Sequence, residues 1–146
     1  MENYETCLHC GARLKKYWHR LTPGLVKVLV KCYKKVSEKQ ENIFLMKDLN
    51  LDHSEYGNFQ KLRFHGLIAK NRVNGEIQHK EWLITSRGTD FLRGEIQIPI
   101  RVQTFRNRVV DHDIELVTVT DVMRDVVYWE QNFDYDIFKP IQKTLI

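Results

Sequence analysis

Across residues 22 to 39 the apolar positions recur at helical spacing: Leu25, Leu29, Cys32 and Val36 fall on one face, with Val28 beside them, while Lys27, Lys31, Lys34 and Lys35 fall elsewhere. Thr22-Pro23 is a start signal for that helix, with Thr as N-cap and Pro at the first helical position, where the missing N–H is not needed. The next apolar run, Ile43-Phe44-Leu45, leads into Met46-Lys47-Asp48-Leu49, room for one short helical turn or two. Asn50-Leu51-Asp52 breaks it. Asp52 or Ser54 then caps a further helix running to about Phe64 or His65 and closed by Gly66. On that helix Phe59, Leu62 and Gly66 share a face with Glu55, whereas Ser54, Gly57, Asn58 and Lys61 lie opposite or on its flank.

A short helix, a turn and a second helix with a polar outer face make a helix-turn-helix pattern. Beyond Leu67 the period changes from helical to extended. Residues 70–73 and 76–85 read as two strands around Asn74-Gly75, a pair favoured in type I′ hairpin turns because both central residues need positive φ. That hairpin is the expected wing, and residues 85–94 form a short capped helix behind it. Residues 96–105 and 108–110 alternate well enough to predict a second hairpin turning at Arg106-Asn107, and residues 119–125 a short helix. Tyr128, Trp129, Phe133, Tyr135 and Phe138 give the last stretch more rings than a disordered tail normally carries, so it is expected to dock on this chain or another.

The fold class expected is therefore α+β, in three parts: a Cys-containing, zinc-knuckle-like segment (1–21), a winged helix-turn-helix core (22–94), and a C-terminal β-hairpin with an aromatic extension (95–146). A chain of 146 residues, 42% of them hydrophobic, can close one core. No apolar run is long enough to span a bilayer, and the start lacks the basic-then-apolar order of a signal peptide, which predicts a soluble, cytoplasmic protein. Three cysteines, an odd number, fit a reducing compartment better than a disulfide framework.

The net charge of +4 conceals a division. Residues 1–110 hold 20 Lys and Arg against 11 Asp and Glu, or +9, while residues 111–146 hold 3 against 8, or −5. A basic body suits a polyanion, because neutralised phosphates release their counterions. The expected contacts with duplex DNA are Ser54, Asn58 and Lys61 in the major groove, Lys70 and Arg72 from the wing, and Lys15, Lys16 and Arg20 on phosphates. Asn58 would carry most of the specificity, since a carboxamide can pair with adenine. The acidic aromatic tail is a candidate contact for a homodimer or a protein partner, and a tail docked on the basic face would compete with nucleic acid.

Cys7-x-x-Cys10-Gly11 has knuckle spacing: two thiolates can converge on one structural Zn²⁺, with the glycine permitting the tight turn. His19 is the candidate third ligand and Cys32 a fourth, although Cys32 sits on the apolar stripe, where a small buried hydrophobe is the commoner role. The plainer alternative is a free thiol pair. No phosphate loop, nucleophile elbow or His-Glu-x-x-His occurs, so the chain is not expected to be an enzyme or to take a small-molecule substrate.

The order of these elements, with Trp82-Leu83-Ile84-Thr85-Ser86-Arg87-Gly88 and Phe91-Leu92 after the wing, resembles winged-helix transcription regulators over roughly residues 22 to 94. The whole chain is similar to small phage and prophage-type proteins in Cys7-x-x-Cys10-Gly11-x-x-Leu14, Leu21 with Gly24, Phe59-x-Lys61-Leu62-Arg63-x-x-Gly66-Leu67-Ile68, and Trp82-x-x-Thr85-x-x-Gly88. The resemblance implies a metal knuckle fused to a winged helix and a DNA-binding regulator or phage-type accessory protein. The alternative is a protein-interaction module that keeps the winged fold without binding nucleic acid. The Cys pair in front and the acidic tail behind depart from the usual regulator pattern.

Overall fold

The computed structural model describes residues 4–6, 13–126 and Tyr135, and within them the fold is mixed α and β. Two strands open it, β1 (Tyr4–Thr6) and β2 (Arg13–Arg20), paired antiparallel. Helix α1 (Pro23–Lys39) follows, its first turn capped by Thr22 Oγ1, which accepts the Leu25 N–H at 3.3 Å. It stops where Gln40 turns left-handed at φ 55° and donates its N–H to Val36 O. Leu25, Val28, Leu29, Cys32 and Val36 are all buried, as their spacing predicts, and Val26, Val30 and Tyr33 join them.

Strand β3 (Ile43–Leu45) and one 3₁₀ turn (Met46–Leu49) lead to α2 (His53–Asn58) and α3 (Lys61–Phe64). The single helix expected over residues 52 to 65 is thus divided. Phe59 and Gln60 keep helical dihedrals, but Leu62 N–H and Arg63 N–H reach back only three residues, to Phe59 O and Gln60 O, so the middle tightens without unwinding. Gly66, at φ 75°, then turns the chain into β4 (Ile68–Val73), which pairs antiparallel with β5 (Glu76–Ile84) through a turn with Asn74 at φ 52° and Gly75 at φ 83°. The sheet order is β3-β5-β4. Residues 43–45, read from sequence as a lead-in to a helix, are a strand because Phe44 and Leu45 find partners in Trp82 and Glu81, some forty residues downstream.

Helix α4 (Ser86–Leu92) starts on a Thr85 cap and lies across the end of this hairpin. The predicted run 96–105 divides in two. Strand β6 (Ile98–Pro99) pairs with β9 (Leu116–Val117), whereas β7 (Arg101–Phe105) pairs with both β2 and β8 (Arg108–His112). Arg106 and Asn107, at φ 51° and 62°, make the second hairpin turn at the expected place. Helix α5 (Val119–Val122) is capped by Thr118.

The β2–β7 pairing puts residues 13–20 and 101–105 in one sheet, of order β1-β2-β7-β8, so β2 is held by the C-terminal hairpin. One core holds the helices together, with Phe59 edge-on to Trp82 at 5.0 Å and to Phe44 at 6.3 Å. Tyr135 is buried and meets Tyr33 of α1 edge-on at 5.1 Å, so that one tail ring docks on its own chain. Tyr128, Trp129, Phe133 and Phe138 lie outside the described residues. Among the described residues no helix is long and apolar enough to cross a membrane.

Candidate nucleic-acid interface

What aims the outer face of α2 and α3 is the burial of their inner one. Phe59 and Leu62 are fully covered, which leaves Ser54 exposed and Asn58 and Lys61 partly exposed along one side. The start is fixed by a reciprocal cap: Asp52 Oδ1 accepts the Glu55 N–H at 2.8 Å, and Glu55 Oε1 accepts the Asp52 N–H at 3.1 Å. Glu55 also takes Lys31 Nζ at 2.6 Å, tying α2 to α1. Asn58 Nδ2 donates to Ser54 O at 3.0 Å, so its amide lies along the helix, and pairing with a base means giving up an exposed hydrogen bond worth about 0.5–1.5 kcal/mol.

The hairpin separates the two basic residues assigned to it. Arg72, opposite Ile77, is exposed near the tip. Lys70 is opposite Trp82, and its ammonium lies 5.5 Å over that ring. An irregularity in register after Lys70 places Asn71 opposite Gln78, and Asn71 Nδ2 donates to Glu81 Oε1 at 2.9 Å. Lys70 therefore belongs to the base of the hairpin and Arg72 to its reach.

The three basic residues of the N-terminal segment do not share one face either. In a strand, neighbours point to opposite faces, so Lys15, Tyr17 and His19 share one face and Lys16, Trp18 and Arg20 the other. The first of these adjoins α3: the His19 and Phe64 rings are 5.0 Å apart, and His19 Nε2 shares a 2.8 Å hydrogen bond with Thr104 Oγ1. Only Lys15 of the three can extend the α3 surface. Burial, and then the Lys61 ammonium, hold the His19 imidazole below its ordinary pKa.

That setting bears on the metal assignment. Cys7 and Cys10 lie outside the described residues. His19 has Nε2 engaged by Thr104, which leaves Nδ1 as the ring nitrogen a metal could take, with the Lys61 ammonium as a neighbouring charge that disfavours a cation there. Cys32 is fully buried in the core, where desolvation pushes its thiol pKa well up, so it packs as a small hydrophobe. Among the described residues no group of three or more His, Cys, Asp or Glu is placed to hold a metal ion.

Three side chains near α3 were not among the candidates read from the sequence. Arg63 lies 5.5 Å over the Phe64 ring, Arg87 Nε donates to His65 O at 3.1 Å, and Tyr56 projects from α2 at 63% exposure. Tyr56 is the one legible in hindsight, as an aromatic off the apolar face. His65 is buried, and neither ring nitrogen has a hydrogen-bond partner among the described residues. The chain matches no protein-family model, and no curated protein or solved structure is significantly similar to it.

Proposed function

We propose that residues 22–94 form a winged helix-turn-helix that binds duplex DNA, as a transcriptional regulator or a phage-type accessory protein. The observation that carries this reading is the pairing of a polar, helical outer face (Ser54, Asn58, Lys61) with an exposed hairpin tip bearing Arg72, both anchored on the buried Phe59–Trp82 contact. Lys61, Arg63, Arg72 and Lys15 supply positive charge for phosphates, and Ser54 and Asn58 supply groups able to reach base edges.

The test is retardation of random-sequence duplex at low salt, followed through a salt series. Neutralising about four phosphates predicts a slope of about −3.6 in log affinity against log salt, since each contact contributes roughly −0.9. Lys61→Ala and Arg72→Ala should each flatten that slope by about 1. Absence of retardation at low salt would favour a second reading, a protein-interaction module. Specific residues support that alternative: Tyr56, Val73 and Ile77 give the same surface exposed apolar area.

A structural Zn²⁺ at Cys7 and Cys10 is part of the proposal, supported by the knuckle spacing. Protein purified without chelator is expected to carry zinc and to lose it in Cys7→Ser. If none is present, and none is taken up on addition, the pair is a free dithiol. His19, through Nδ1, or a second chain would complete the shell.

A further inference from the structure

Lys16, Trp18 and Arg20 face away from α3, and the β2–β7 register shows what stands beside them. Lys16 is opposite Phe105, Trp18 opposite Gln103, and Arg20 opposite Arg101, so all six side chains share one face of the four-stranded sheet. Trp18 and Phe105 are diagonal neighbours on that face, and both are partly exposed. Each lies under a guanidinium: Arg101 Cζ is 4.7 Å from the centre of the Trp18 ring, and Arg106 Cζ is 5.2 Å from that of Phe105. Arg101 is held in place by Asp113, whose Oδ2 accepts its Nε–H at 2.9 Å. That hydrogen bond keeps the Asp113 carboxyl below its usual pKa. Arg108, opposite Phe105 on β8, and Arg20 are exposed at the two ends of the row. Against these arginines the described side chains of the face set Asp113 and, opposite Gln103, Asp111, so among them the balance is positive.

We propose that this sheet face is a second nucleic-acid surface, separate from α2, α3 and the wing, and that it takes single-stranded nucleic acid. Aromatic rings with arginines between them are the equipment of a stacking platform: bases stack on rings and on guanidinium planes alike, and the cations follow the backbone. The bases of a duplex are already stacked on each other and cannot use the rings. Gln103, between the rings, is buried, so the surface offers stacking and charge with little means of reading base edges. Binding should therefore be tolerant of sequence.

The experiment is fluorescence anisotropy with the full chain and a labelled 20-nucleotide oligo-dT, alongside the duplex of the previous test. Wild type is expected to bind oligo-dT with an affinity that falls as salt rises. Trp18→Leu and Phe105→Leu should each weaken it by about tenfold, within the range for losing one base–aromatic stack. Arg20→Gln and Arg106→Gln, at exposed positions that leave the core intact, should each weaken it several-fold and keep the wild-type melting temperature. Lys61→Ala should leave oligo-dT binding unchanged. Oligo-dT that does not bind at low salt overturns the proposal, as does oligo-dT binding that the ring and arginine variants leave unchanged. Neither result touches the duplex reading, which fails separately if duplex is not retarded while oligo-dT is bound.

Discussion

Gly88→Ala is expected to destabilise the protein by about 3 kcal/mol or more, at the upper end for overpacking, and to lower its melting temperature by roughly 10 °C. A Cβ at this position would drive into Leu67 O, and it would stand only 3.2 Å from Leu67 C and 3.0 Å from Ile84 Cγ1. The carbonyl cannot yield cheaply, because Leu67 O accepts the Thr85 N–H at 3.1 Å where the hairpin hands over to α4. Thr85 Oγ1 in turn donates to Gly66 O at 2.7 Å and accepts the Gly88 N–H at 3.0 Å. The added methyl would thus push α4 off both the Gly66–Leu67 turn and the base of β5. Gly57→Ala is the control. It is exposed in α2 with nothing within 4 Å of the added carbon, so it should be neutral or stabilise by up to about 1 kcal/mol. Thermal melts of the two variants side by side decide it: a Gly88→Ala protein that melts with wild type would mean α4 does not abut that carbonyl.

Acid should weaken the fold through one residue more than any other among those described. His65 is 3% exposed, neither ring nitrogen has a hydrogen-bond partner among the described residues, and burial followed by the charges of His19 and Arg87 lowers its pKa to about 4. In the unfolded chain the same imidazole titrates near 6.5. Between those values the unfolded state binds a proton that the folded state refuses, so stability rises with pH across the window. The contribution is complete above about pH 6.5 and is lost as pH falls to about 4, an effect of about 3 kcal/mol. Urea midpoints at pH 7.0 and 4.5 measure it, and His65→Leu isolates it by removing the titrating group at similar volume. The wild-type midpoint should drop by more than the variant's. Equal drops would place the acid sensitivity elsewhere. At pH 7 the leucine variant should be at least as stable as wild type, because two unsatisfied buried nitrogens disappear.

The parts of the fold legible in the sequence are those set by neighbours within a few residues. Thr22-Pro23, Asp52, Asn74-Gly75 and Thr85 each mark an element boundary that the structure keeps, because caps and tight turns are local chemistry. Strands β2 and β3 were not legible. Lys15-Lys16-Tyr17-Trp18 and Ile43-Phe44-Leu45 become strands only through β7 and β5, which no local window contains. The candidate site divides along the same line. Helical period correctly placed Phe59 and Leu62 inside and Ser54 outside. The separation of Lys15 from Lys16 and Arg20 follows from strand alternation, and could not be read before residues 13–20 were known to be a strand. The setting of His65 depends on β2 and α4 arriving from opposite directions in sequence, and nothing in its own neighbourhood announces it.

The pairing of β2 with β7 also sets a schedule for synthesis. His19 and Thr104, bonded across those strands, are 85 residues apart, so β2 leaves the ribosome long before its partner exists. At about 5–20 residues per second it waits roughly 4–17 s. Throughout that interval Tyr17 and Trp18 sit on a segment whose hydrogen-bonding edge toward β7 is open, a template for joining another nascent chain. Lys15, Lys16 and Arg20 flank those rings on both sides. Like charges laid edge to edge repel, so the basic residues guard the strand against its own copies until Arg101–Phe105 emerge to close it.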